Sequence, residues 1–181
     1  MAERGGLEGP QARVTAMPKP SAGLLLYRRR GGGIEVLLAH PGGPLWTKRD
    51  AGAWSVPKGE IESGEEPFAV ARREFEEETG HEAPAGECLA LGEIRQKSGK
   101  LVVAWACEGD LDPATTVSNT FPLEWPPGSG DWIDVPEVDR VAWFDPDEAR
   151  RRLNPAQAEY LDRLLGQLAE EGTAPSSRRA P

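Results

Sequence analysis

Two apolar runs begin the patterned part of the chain. SAGLLLYRR and IEVLLAHP read as strands, joined by the turn-prone RGGG at 30–33. The following stretch, GGPLWTKRDAGAWSVPKGEIESGEE, is loop-rich and predicts one short strand at Trp54 to Val56. Pro67 suits the first residue of a helix, where its missing N–H costs nothing, and Gly80 suits the stop, so a helix is expected over 67–79. ECLALGEIRQ and KLVVAWACE predict a second strand pair with QKSGK turning between them. Residues 109 to 136 show no clear periodicity and hold Phe121, Trp125 and Trp132 among prolines and glycines. VDRVAWF reads as a short strand. Asp145-Pro146-Asp147-Glu148 and Asn154-Pro155-Ala156-Gln157 then carry helix-start signatures. The second opens a helix with Tyr160, Leu161, Leu164, Leu165 and Leu168 at apolar positions. No internal repeat interrupts this order. It predicts one α/β (α+β) domain over 19–170, a mixed sheet covered by helices, with a disordered arm at 1–18 and a disordered tail at 171–181.

Composition narrows the classes. At 181 residues the chain can build one well-buried core but not two ordinary domains. No apolar run reaches the roughly 18 to 20 residues that span a bilayer, and AGLLLY meets Arg28, Arg29 and Arg30 at once. MAERGGLEGP lacks an apolar signal core, which points to a soluble, cytoplasmic protein without a membrane partner. Cys88 and Cys107 lie in apolar surroundings with no CxxC, and read as small buried core residues rather than a disulfide framework or zinc site. A net charge of −9 argues against long nucleic acid or an anionic membrane as partner. It is compatible with a small charged substrate accompanied by divalent cations.

The acidic run REFEEETG within the expected helix carries the chemistry. On a wheel of about 100° per residue, Phe68, Ala71 and Phe75 share the burying face. Glu74, Glu77 and Glu78 fall in an adjacent arc, while Glu76 points to solvent. Alone, such a helix is more often an acidic surface than a site. Three carboxylates on one rigid face nevertheless suit a hard cation that keeps waters for a phosphate to displace.

The surrounding residues sharpen this. Gly59, Glu65, Arg73, Glu74, Glu77, Glu78 and Gly80 stand in the spacing G-x5-E-x7-R-E-U-x-E-E-x-G-U, where U is a bulky apolar residue filled first by Phe75. In this the chain resembles the Nudix hydrolase family, with His81 at the last U as the one departure. The resemblance implies an α/β/α sandwich with a central mixed sheet and a loop-helix-loop box. It also implies a metal-dependent pyrophosphohydrolase cleaving a diphosphate bond in a nucleoside diphosphate linked to some group X. Glu74, Glu77 and Glu78 would hold Mg²⁺ or Mn²⁺, with a backbone carbonyl at Lys58 or Gly59, and Glu65 would pair with Arg73. WSVPKGEIE is similar to the diadenosine polyphosphate branch, so dinucleoside polyphosphates come first as substrates, with nucleoside triphosphates next.

A further glutamate from outside the box is expected as base or ligand, with Glu137 preferred over Glu124; Glu77 is the other candidate base. Lys48, Arg49, Lys58, Lys97 and Lys100 are the cations expected near the cleft, and Lys58, at its mouth, is the first choice for phosphate. His40 at the end of its strand is either cleft-facing or structural. Trp46, Trp105, Trp125 and Trp132 are available for stacking, worth roughly 1–3 kcal/mol per base, although Trp105 reads as packing. Two other readings remain: a nucleotide-sensing module without chemistry, and an isoprenoid diphosphate isomerase, which would need a cysteine in an active-site loop. Oligomeric state is left open between monomer and homodimer.

Overall fold

Strand β1 (Ser21–Arg30) organises the protein because three other strands hydrogen-bond to it. The computed structural model describes residues 18–173; apart from Pro18 and residues 171–173, the arm and tail expected from the sequence lie outside them. β5 (Leu101–Glu108) runs parallel along one edge of β1 from Ser21 to Tyr27. The other edge is divided. β3 (Lys58–Glu60) pairs antiparallel with Ser21 to Gly23, and β2 (Gly33–Pro41) pairs antiparallel with Tyr27 to Arg30. With β4 (Cys88–Arg95) beyond β5 and β8 (Val138–Phe144) beyond β2, the mixed sheet runs β4-β5-β1-β2-β8, and β3 sits off that path.

Both faces of the sheet are covered, so β1 is apolar almost throughout rather than alternating with polar residues. Ala22, Leu24 and Leu26 pack on one side with Val70, Ala71 and Phe75 of helix α1 (Pro67–Thr79). Leu25 and Tyr27 face the other side, against Ala149 of α2 (Pro146–Arg152) and Tyr160, Leu161 and Leu164 of α3 (Ala158–Thr173). The result is an α+β sandwich, helix against sheet against helix. The Tyr160 hydroxyl donates to Val102 O at 2.6 Å, so the buried phenol is satisfied and ties α3 to β5. No helix among the described residues is long and apolar enough to cross a membrane.

The helix signals act as the sequence suggests. Pro67 opens α1 and Glu66 caps it by accepting from Ala69 N. Gly80 ends it at φ 73°, a left-handed conformation that glycine adopts without penalty. Asp145 caps α2 through Glu148 N, and Asn154 opens a 3₁₀ turn at Pro155–Gln157 that runs into α3.

Three expectations need correction. Trp54 and Ser55 make only isolated bridges, and the short strand forms two residues later as β3. The segment 109–136 is ordered: a 3₁₀ turn at Pro113–Thr115 precedes a hairpin of β6 (Thr120–Glu124) and β7 (Trp132–Pro136) that forms its own two-stranded sheet. Pro122 and the glycines of its turn mask the strand pattern. Cys88 and Cys107 are bonded to each other as a disulfide, not free core residues. They are direct cross-strand partners on β4 and β5, with Cα atoms 4.4 Å apart, which is within bonding reach.

Candidate active site

The sequence places a divided edge on β1, and the cleft opens beside it. β3 brings Lys58 and Gly59 up against α1, close enough that their backbone touches the helix carboxylates. The Lys58 N–H donates to Glu78 Oε2 at 3.3 Å. A Cβ built on Gly59 would fall 1.9 Å from the Glu74 carboxyl carbon, so only a glycine leaves room for that side chain. The cleft, about 600 Å³, is lined at this end by Lys58, Gly59, Glu74, Glu77, Glu78 and Glu137.

Glu74 and Glu78 are buried on α1, and Glu137, between β7 and β8, points at them; one oxygen from each lies within 4.8 Å of the others. At that separation two ionised carboxylates repel by about 3 kcal/mol at an effective dielectric near 20. Burial, with further repulsion from Glu137 and Glu74, outweighs Lys58 and pushes the Glu78 carboxyl up to about 8. Burial also raises Glu74, against the opposing Arg73 guanidinium. Crowded, partly desolvated carboxylate oxygens with a glycine cradle beneath them fit a hard divalent cation such as Mg²⁺ or Mn²⁺.

The helix wheel and the structure divide the box glutamates differently. Glu77 lies on the cleft wall but its carboxylate is 3.3 Å from Arg73 Nη1, and the third oxygen near Glu74 and Glu78 comes from Glu137. Arg73 is shared, 2.8 Å from Glu74 and 3.6 Å from Glu65, so the expected Glu65–Arg73 pair is present. Glu76 is exposed and accepts from Ala83 N, outside the cleft.

Among the cations, Lys58 lines the cleft, and so does Lys100, whose ammonium is 2.9 Å from Glu60. Lys48, Arg49 and Lys97 are exposed and do not line it. Lys97 sits in the β4–β5 turn, whereas Lys100 closes that turn at the edge of β5, facing β3. The Arg49 guanidinium stacks over Trp46, and its carbonyl lies 2.7 Å from His40 Nε2. His40 is fully buried with Asp139 on its other nitrogen, a structural histidine. Glu124 accepts from Gly130 N inside the hairpin and takes no part in the cleft. Trp105 packs on Phe68 at 5.1 Å.

The same cleft is also lined by Trp46, Asn119 and Phe121. Asn119 and Phe121 escaped the sequence reading because the strand that carries Phe121 was hidden. The alternation of TFPLE, matched across the turn by WIDVP, is the signal that exposes it.

Comparisons with known proteins bear on the family and the fold. The chain is 32% identical over 114 residues to an 8-oxo-(d)GTP phosphatase of Mycolicibacterium smegmatis, matching 62% of this chain and 30% of that one. It is 36% identical over 83 residues to an RNA pyrophosphohydrolase of Rhodospirillum rubrum, with 44% and 46% covered. The chain thus spans less than half the length of each of these two relatives. Among solved structures, a Caenorhabditis elegans Ap4A hydrolase binary complex superposes with a TM-score of 0.60 at 21% identity, covering 83% of this chain and 98% of that one, a likeness of fold. A Nudix hydrolase from M. smegmatis, RenU, gives 0.52 at 26% identity, with 89% and 90% covered. The NUDIX domain family matches residues 17–164, most of the chain, and the protein belongs to that family.

Proposed function

We propose that this chain is a divalent-metal-dependent pyrophosphohydrolase that cleaves a diphosphate bond in nucleotides, with dinucleoside polyphosphates and nucleoside triphosphates as its first substrate classes. The observation that carries this is the meeting of Glu74, Glu78 and Glu137 in a cleft that also presents Lys58 and Lys100. Glu74 and Glu78, joined by Glu137, would hold Mg²⁺ or Mn²⁺. The bound ion supplies charge neutralisation for the phosphates and a more acidic water. Lys58 and Lys100 bind phosphate oxygens as point charges. Trp46 and Phe121 line the same cleft and offer stacking surface for a base. Arg73 contacts Glu65, Glu74 and Glu77, and Glu77, on the cleft wall, is a candidate base. Water adds to one phosphorus, the bridging oxygen leaves with the other, and one proton is released.

The nucleotide reading draws on relatives named 8-oxo-(d)GTP phosphatase and RNA pyrophosphohydrolase, and on a structural neighbour named Ap4A hydrolase. An isomerase using a free cysteine has no support, because Cys88 and Cys107 are bonded together on β4 and β5. The test is incubation with Mg²⁺ and a panel of dinucleoside polyphosphates and nucleoside triphosphates, with phosphate-containing products resolved by chromatography. Turnover of one class is expected. Binding without turnover of any diphosphate compound would assign the chain to sensing instead.

A further inference from the structure

Glu137 is held in a different way from the two glutamates it faces. Glu74 contacts Arg73 and Glu78 accepts from Lys58 N, but no hydrogen bond or ion pair reaches the Glu137 carboxylate among the described residues. Its aim is set by its backbone. The Glu137 N–H donates to Asn119 O at 2.9 Å, and its carbonyl accepts from Gly42 N at 3.0 Å. The next amide, Val138 N–H, donates to Ser118 Oγ at 3.0 Å, and the Ser118 hydroxyl donates onward to Asn119 O at 3.1 Å.

The same short segment is anchored at its other side to α1. Val117 N–H donates to Thr79 O and Asn119 N–H to Glu77 O, both at 3.0 Å. These are last-turn carbonyls that the helix itself leaves without partners. Residues 117–119 therefore form a strut from the end of the helix that carries Glu74 and Glu78 to the peptide that carries Glu137. Mutual repulsion drives Glu137 away from the other two carboxylates, and the strut, Gly42 and the strand pairings of Pro136 and Val138 oppose it.

We propose that Ser118 is a positioning residue for Glu137. Its hydroxyl accepts from the Val138 amide and donates to the Asn119 carbonyl that in turn accepts from the Glu137 amide, and so fixes the direction in which Glu137 leaves the chain. This keeps the third carboxylate in place before a cation arrives. Partners of this kind, one step removed from the ligands, commonly change metal affinity by about 10- to 100-fold when removed. The inference rests on the metal-dependent reading above for its purpose.

The test is Mn²⁺ titration by calorimetry on the full chain without nucleotide, beside thermal melts in chelator. Ser118→Ala is expected to weaken Mn²⁺ binding by roughly tenfold or more, and Ser118→Thr to restore it by returning the hydroxyl. Ser129→Ala, in the exposed β6–β7 turn, removes a serine hydroxyl away from the cleft and is expected to bind Mn²⁺ as the parent does. Ser118→Cys, with similar volume and a weaker acceptor, is expected to fall between parent and Ser118→Ala, and serves if the alanine variant does not fold. Parent-like affinity in Ser118→Ala, or in Ser118→Cys where it stands in, overturns the proposal. So does a loss in Ser129→Ala as large as that in Ser118→Ala. A parent chain that binds Mn²⁺ but hydrolyses no nucleotide sinks the enzyme reading and leaves this inference standing. A parent that binds no Mn²⁺ sinks both.

Discussion

The Gly59 backbone lies flush against the Glu74 carboxylate, with a would-be Cβ 1.9 Å from both Cδ and Oε2. Gly59→Ala must therefore displace Glu74 or the β3 backbone. Overpacking of this kind costs about 1–3 kcal/mol, which the fold survives. A misplacement near 1 Å can lower turnover by roughly a hundredfold. Kinetics beside a thermal melt are expected to show a folded, crippled enzyme. Unchanged turnover would show that Glu74 need not occupy this position.

Glu78 sits in a buried group of like charges, so its neutral amide isostere is expected to tolerate the site better than the carboxylate does. Glu78→Gln retains an oxygen for the Lys58 N–H. In chelator its melting temperature is expected to equal or exceed that of the parent. On addition of Mg²⁺ the parent rises, by about 2.7 kcal/mol at one hundred times the dissociation constant, and the variant does not. A variant less stable in chelator that keeps the Mg²⁺ shift would count against a cation at this position.

Lys100 and Lys97 are three residues apart and separate the cleft from the surface. Lys100→Ala removes a cation from the cleft wall and is expected to raise KM roughly tenfold with little change in kcat, the pattern of lost uniform binding. Lys97→Ala is expected to leave both constants unchanged. Equal effects from the two would mean that general charge, not position, governs phosphate binding.

Acid sensitivity is expected on the opposite side of the sheet from α1. Glu148 accepts from Arg152 and Arg151, which hold its carboxyl below 4.5. A carboxyl lowered by folding contributes stability above its unfolded value, and that contribution is lost as pH falls through the folded value. Glu148→Gln should thus lower the melting temperature slightly at pH 7, and the difference should vanish toward pH 3. Because the group is exposed, added salt should shrink it as well. A difference that persists at pH 3 would trace the effect to packing.

What was legible in the sequence followed from local chemistry. Pro67 and Gly80 bound α1 at the residues they mark, and the Gly59-to-Gly80 spacing marks Glu74 and Glu78, two of the three clustered carboxylates. What was not legible depended on register and on distant approach. The Cys88–Cys107 bond exists because β4 and β5 align those two residues opposite one another, a pairing that spacing alone does not encode. The wheel could group Glu77 with Glu74 and Glu78, but it could not see the contact of Glu77 with Arg73; Glu137, preferred from the sequence as a further base or ligand, lies with Glu74 and Glu78 from the β7–β8 junction. Proline within β6 concealed Phe121 in the same way.

The hairpin β6–β7 forms its own two-stranded sheet, separate from the sheet that carries the carboxylate end. It joins the rest through the strut at its start and through Pro136, beside Gly42, at its finish. Changes between those two joints, away from Leu123 and Val135 beside Gly43, are expected to leave Glu74, Glu78 and Glu137 in place. The protein is built like a handle with an interchangeable tip. Grafting that tip between relatives offers a route to new substrate preferences while the reactive end is left untouched.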